Sequence, residues 1–144
     1  MYRCSGPEPE VLLVLPGGPY WQGKDRGAWQ IPKGRIGKDE TPADAALREF
    51  EEETGTRVTS TLTPLPQIQQ AGSKRILAFA MEGDLDIAGI VSNRFEIAWP
   101  PGSNRTESFP EIARAGWFPL SEASAAMLAS QRPLLASLAA LLRR

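Results

Sequence analysis

Residues 34–56 read GRIGKDETPADAALREFEEETGT, which sets five glutamates, two aspartates and two arginines around a short apolar stripe. At a helical turn of about 100° per residue, Ala43, Ala46, Leu47 and Phe50 fall on one side, so the pattern predicts a core-facing helix. Thr41 is placed to cap its start, Pro42 takes the first helical position, and Asp44 lies three residues past the cap. Gly55 supplies the stop, because glycine turns left-handed without steric cost after a last helical turn.

Glu49, Glu52 and Glu53 stand at i, i+3 and i+4, so they project from one flank of that helix, while Glu51 points to the other. Like charges so spaced cost roughly 0.2–0.5 kcal/mol per pair in an isolated helix. Carboxylates converging beside a buried stripe suit a hard divalent cation, which takes oxygen ligands. A merely acidic, solvated face is the competing reading of the glutamates taken alone.

The wider spacing decides between them. Gly34, Glu40 six residues on, Arg48-Glu49-Phe50 eight beyond that, then Glu52-Glu53 and Gly55 follow the pattern Gly-x5-Glu-x7-Arg-Glu-U-x-Glu-Glu-x-Gly-U, with U apolar. All seven fixed positions match, and a chance match somewhere in the chain is on the order of 10⁻⁶ at average residue frequencies. The last U is Thr56, a departure that bears on packing below the helix. In this motif the chain resembles the Nudix hydrolases.

That resemblance implies an α/β fold, an α/β/α sandwich with a mixed central sheet, as a single domain over residues 1–144. It implies an Mg²⁺-dependent pyrophosphohydrolase, with Mn²⁺ as a substitute, acting on a small nucleotide or polyphosphate. It assigns Glu49, Glu52 and Glu53 to the metal, with Glu49 also a candidate base, and has Arg48 orient the glutamates through ion pairing, Glu52 being its i+4 partner. Gly34, Glu40 and Gly55 then shape the loop and the helix end. Pro32-Lys33-Gly34 is similar to the branches that hydrolyse dinucleoside polyphosphates and diphosphoinositol polyphosphates. There the carbonyl of Lys33 would help bind metal and its side chain would lie near phosphate. Diadenosine tetraphosphate is therefore the expected type of substrate; a nucleoside triphosphate, or a noncatalytic nucleotide-sensing role, is the alternative.

The rest of the chain narrows the chemistry. The 144 residues contain no histidine, which excludes a Ser-His-Asp triad, a Cys-His dyad and any histidine metal site. A general base must then be a carboxylate, a lysine or a tyrosine. Glu111, in SFPEIARAGWF, is the candidate for a ligand or base from outside the motif; an ordinary surface glutamate is the alternative. Arg35, Lys74 and Arg94 join Lys33 as candidate phosphate binders. Trp21, Phe95 and Trp99 are candidates to stack a base. The net charge of −1 gives no basic field, so no nucleic-acid polymer partner is expected. Cys4 is the sole cysteine, no targeting or membrane-spanning segment is expected, and a cytoplasmic location follows as the expectation.

Gly18, Gly23 and Lys24 imitate the front of a P-loop, but Asp25 stands where Ser or Thr should bind magnesium, and strand-like residues follow. A Gly/Pro-rich surface loop is the better reading. Strands are expected at Val11 to Leu15, around Trp29 and Ile31, and at Val58 to Thr63, Pro66 to Gln69, Lys74 to Met81, Arg94 to Trp99 and Ala115 to Leu120. Helices are expected from Ser121 to about Ser130 and from Pro133 onward.

Overall fold

The computed structural model describes residues 1–70 and 72–144. Its strands are β1 (Tyr2–Arg3), β2 (Glu10–Pro16), β3 (Thr63–Pro64), β4 (Ile68–Gln70), β5 (Lys74–Ile76), β6 (Phe79–Ala80), β7 (Arg94–Ala98), β8 (Thr106–Pro110) and β9 (Ile112–Pro119). Helix α1 (Pro42–Thr54) precedes β3; α2 (Leu120–Ala126) and α3 (Pro133–Leu142) close the chain.

The hydrophobic core packs around β2. Val11 to Leu15 are each at most 6% exposed, so both faces of this strand are covered, as its unbroken apolar run requires. Alternation along a strand sends the odd and even residues to opposite faces. Val11, Leu13 and Leu15 pack with Trp29, Ala123, Met127 and Leu138, the side of α2 and α3. Leu12 packs with Phe50 of α1 and with Met81. Helices on both faces of the sheet make an α/β/α sandwich. β2 runs antiparallel to β9, from Glu10 opposite Pro119 to Pro16 opposite Ile112, with a bulge after Leu15. On its other edge lie β1, also antiparallel, and Gln30, which exchanges two backbone hydrogen bonds with Val14. Tyr2 bridges in parallel to Glu82, so the sheet is mixed. No helix among the described residues is long and apolar enough to cross a membrane.

α1 starts and stops where its sequence signals lie. The Asp44 N–H donates to Thr41 Oγ1 at 3.1 Å, and Gly55 takes φ 76° while its N–H donates to the Glu51 carbonyl. The buried residues are Ala45, Phe50 and Thr54, with Leu47 packed beside them, so Ala43 and Ala46 sit at the margin of the stripe. Thr54 is tolerated in the core because its hydroxyl donates to the Phe50 carbonyl at 2.7 Å.

The strands after α1 depart from the expectation. Lys74 to Met81 is two strands: β5 pairs with β4, then the chain changes partner and β6 pairs with β3. The break falls at Leu77, which is 45% exposed, and only the second half of the run is buried. Of Val58 to Thr63 only Thr63 enters a strand, β3, which it forms with Pro64. β7 finds its partner in β8, a polar segment with no apolar alternation to announce it, and β1 is likewise new. α2 begins at Leu120 and ends at Ala126; Ser121 lies inside it and donates its hydroxyl to Glu8 at 2.6 Å in place of capping.

Candidate active site

Arg48 organises the surface of α1. Its Nε and Nη2 donate to the two carboxylate oxygens of Glu40 at 2.7 and 3.0 Å. Its Nη1 donates to Glu49 at 2.9 Å and to Glu52 at 3.2 Å, and Nη2 also reaches the Arg35 carbonyl at 2.8 Å. A rigid planar fork is what allows one side chain to serve three carboxylates and a carbonyl. Glu40 accepts in addition from the Gly37 N–H at 2.7 Å. The Arg48 hydrogen bonds, helped by the one from Gly37, hold the Glu40 carboxyl at about 2. Glu40 and Glu49 in turn raise the Arg48 guanidinium above its ordinary value. The loop from Gly34 to Glu40 is thereby laced to the helix.

Gly34 is where this loop crosses Glu49. A Cβ there would meet the Glu49 carboxylate carbon at 1.8 Å, so any side chain at this position displaces the Glu49 carboxylate. One residue earlier, the Lys33 N–H donates to Glu53 Oε2 at 3.2 Å. Burial is the main reason that the Glu53 carboxyl is pushed up to about 8; the charges of Glu49 and Glu111 push the same way, against the Lys33 hydrogen bond. Glu51 is exposed on the far flank.

Glu111 reaches this site through the backbone. It sits between β8 and β9, where its N–H donates to the Asn93 carbonyl at 2.8 Å and its carbonyl accepts from Gly17 at 2.9 Å. Asn93 N–H donates to the Glu52 carbonyl at 3.1 Å, which ties the whole junction to α1. Asn93 and Gly17 were not legible as site residues. Gly17 has the stronger physical constraint, since a Cβ on it would lie 1.9 Å from the Pro110 oxygen.

Among the described residues, no three acidic side chains stand close enough to enclose a metal ion as they are now turned. Glu49 and Glu52 are held by Arg48, and Glu53 by Lys33. The donor set nevertheless fits a hard cation in kind. It is all oxygen, and Glu53 is a half-buried carboxyl among like charges that a cation would relieve.

A cleft of about 810 Å³ opens beside the loop. Lys33, Arg35, Lys74, Arg75, Gln67 and Gln70 line it together with apolar residues that include Leu12 and Phe50. Arg94 is engaged elsewhere: its guanidinium donates to the Ser108 hydroxyl and carbonyl, both at 2.9 Å, across the β7–β8 hairpin. The P-loop imitation is a 3₁₀ turn at Pro19–Trp21 followed by bridged residues. Asp25 accepts there from the Trp29 indole, and Lys24 sits 5.5 Å over the Trp21 ring.

The sequence model of the family described as NUDIX domain matches residues 3–138. Among curated proteins, an octanoyltransferase of Myxococcus xanthus is 37% identical over 103 residues, covering 71% of this chain and 24% of that protein. An RNA pyrophosphohydrolase of Rhizobium meliloti (strain 1021) is 32% identical over 111 residues, covering 65% of this chain and 60% of that one. The chain thus spans less than two thirds of the length of either relative. Among solved structures, a binary complex of the Caenorhabditis elegans Ap4A hydrolase superposes with a TM-score of 0.66 at 21% identity, covering 99% and 93% of the two chains. The NUDIX domain of Shewanella oneidensis NrtR complexed with ADP ribose follows at 0.64 and 19%, covering 98% and 82%. At such identities these two likenesses speak for the fold.

Proposed function

The chain belongs to the Nudix family, and from that premise we propose that it is a metal-dependent pyrophosphohydrolase. It cleaves a phosphoanhydride bond of a nucleoside diphosphate-linked substrate by attack of water at phosphorus. Use of divalent metal ions is general to the family; Mg²⁺, replaceable by Mn²⁺, is the ion proposed. Glu49, Glu52, Glu53 and the Lys33 carbonyl would hold it. When bound, such an ion neutralises phosphate charge and lowers the pKa of a water ligand.

The chain's own groups do the remainder. Arg48 keeps Glu49 and Glu52 on the flank next to the loop, with Glu40 as its anchor. Glu111, or Glu49, takes the proton from the attacking water as a carboxylate base, the chain having no histidine for the role. Lys33, Arg35 and Lys74, all lining the cleft, donate to substrate phosphates. The observation that carries the proposal is the flank of α1 beside the Lys33–Gly34 loop, where the Lys33 N–H meets Glu53 at 3.2 Å and Arg48 holds Glu49 and Glu52 at 2.9 and 3.2 Å.

The substrate proposed is a dinucleoside polyphosphate of the diadenosine tetraphosphate type. Pro32-Lys33-Gly34 supports it, as does the structural likeness to a protein named Ap4A hydrolase. A second reading, the 5′ phosphates of an RNA, is favoured by relatives named RNA pyrophosphohydrolase, one of them 59% identical over 32 residues. We propose further that residues 1–144 act as one domain and that the protein is cytoplasmic. The deciding experiment is a screen of the purified protein against nucleoside triphosphates, dinucleoside polyphosphates, nucleotide sugars and 5′-triphosphate RNA, with Mg²⁺ and with EDTA. Turnover that survives EDTA, or none with any substrate, refutes the proposal.

A further inference from the structure

A helix ends on carbonyls that have no partner in a following turn, so donors from outside must reach them. At the end of α1 those donors come from residues 91–93. The Val91 N–H reaches the Thr54 carbonyl at 3.2 Å, and the Asn93 N–H reaches that of Glu52 at 3.1 Å. Gly55 lets the segment lie this close, since a Cβ there would come within 2.9 Å of the Val91 oxygen. The last turn of α1, which carries Glu52 and Glu53, is thus fixed against residues 91–93.

The same segment grips Glu111. The Asn93 carbonyl accepts from the Glu111 N–H at 2.8 Å, and the Gly17 N–H donates to the Glu111 carbonyl at 2.9 Å. The next N–H, that of Ile112, donates to the Ser92 hydroxyl at 3.1 Å. The hydroxyl hydrogen in turn is placed for the Asn93 carbonyl at 3.1 Å or the Ile112 carbonyl at 3.4 Å. Both peptide groups beside the Glu111 side chain are therefore pinned, and Ser92 makes its bond through a side chain. The ladder is irregular at this point. Ile112 lies opposite Pro16 and Arg114 opposite Leu15, so Ala113 is an extra residue. Such a bulge interrupts the pairing and re-aims the side chains next to it. Glu111 is half-buried, and among the described residues no ion pair includes its carboxylate.

We propose that Ser92 is a positioning residue, whose hydroxyl holds the Glu111 backbone so that the carboxylate meets the attacking water. The proposal rests on the hydrolase reading and deepens it by taking Glu111, in preference to Glu49, as the base. Glu49 is committed to Arg48 at 2.9 Å, whereas Glu111 has no such partner. As the water oxygen bonds to phosphorus, its proton passes to a Glu111 carboxylate oxygen. The anhydride oxygen leaves with the electron pair of the broken P–O bond.

The test compares Ser92→Ala, Ser92→Thr, Glu111→Gln and the double variant Ser92→Ala/Glu111→Gln, with Mg²⁺, on the substrate that wild type turns over fastest in the screen. Ser92→Ala removes one oxygen from a half-buried position and should fold. Its kcat should fall roughly ten- to hundredfold with KM unchanged, because a small displacement of a catalytic group slows the chemical step and leaves substrate binding alone. Ser92→Thr keeps the hydroxyl and should restore kcat. The double variant should be no slower than Glu111→Gln, since a residue acting through Glu111 then has nothing left to position. By NMR hydrogen exchange without substrate, the Ile112 amide should exchange several-fold faster in Ser92→Ala than in wild type or Ser92→Thr. The proposal is overturned if Ser92→Ala or Glu111→Gln keeps wild-type kcat, or if the two single losses multiply in the double variant. It is overturned as well by an Ile112 amide that Ser92→Ala leaves unmoved, by a Ser92→Thr variant as slow as Ser92→Ala, or by a Ser92→Ala chain that does not fold. Failure of the hydrolase reading looks different: wild type turns over nothing in the screen, and this proposal falls with it.

Discussion

Gly34→Ala separates the role of this glycine in catalysis from any role in folding. The new Cβ would come to 1.8 Å from the Glu49 carboxyl carbon and 2.2 Å from each of its oxygens. Gly34 does not have the positive φ that favours glycine, so the backbone is not strained. The obstacle is the end of a flexible side chain, and the least costly response is for Glu49 to rotate away. That breaks its 2.9 Å ion pair with Arg48, worth roughly 0.2–1 kcal/mol between partly exposed groups. A strained rotamer adds about 0.5–1.5 kcal/mol. Together these predict a fall in Tm of less than about 8 °C for a chain of this size. Activity should suffer far more, because displacing a carboxylate by an ångström at such a site costs on the order of 10²-fold. The assay pairs a thermal melt with kcat/KM on the best substrate of the screen, and Gly6→Ala, with nothing within 4 Å of its new Cβ, is the control. Wild-type kcat/KM in a folded Gly34→Ala protein would refute the role given to Glu49. An unfolded variant would show instead that the loop is part of the folding core.

Three further outcomes are expected. Glu53→Gln should lower turnover by roughly 10²-fold or more while the metal-free protein melts no lower than wild type at neutral pH, since a carboxyl pushed up to about 8 is already largely uncharged there; Glu51→Gln, exposed on the other flank, should change neither. Millimolar Mg²⁺ should raise the wild-type Tm, by about 2.7 kcal/mol of added stability at a hundred times its Kd, and calorimetry showing no shift would count against the metal site. The Glu40 carboxyl is depressed to about 2 in the fold from an ordinary 4.5, so its stabilising effect is complete above 4.5 and is lost as pH falls toward 2. Urea midpoints of wild type and Glu40→Gln should accordingly differ by a constant amount at neutral pH and converge in acid.

What could be read from the chain alone was what depends on near neighbours. Thr41, Pro42 and Gly55 bound α1 through bonds that span at most four residues, and helical geometry alone puts Glu49, Glu52 and Glu53 on one flank. The i+4 spacing offered Glu52 as the partner of Arg48, and the run Val11 to Leu15 announced a strand; that Arg48 is anchored chiefly on Glu40, across the loop, is shown only by the tertiary structure. The strand partners were not legible, because pairing is decided by which edges and turns meet in space, and strand propensity depends on that context. Lys74 to Met81 looked like one strand because its apolar residues are continuous; the chain splits it by changing partner at Leu77. The site divides in the same way. Its helix-borne glutamates follow from local periodicity, whereas Glu111, Asn93 and Gly17 meet only through backbone hydrogen bonds between segments as many as 94 residues apart.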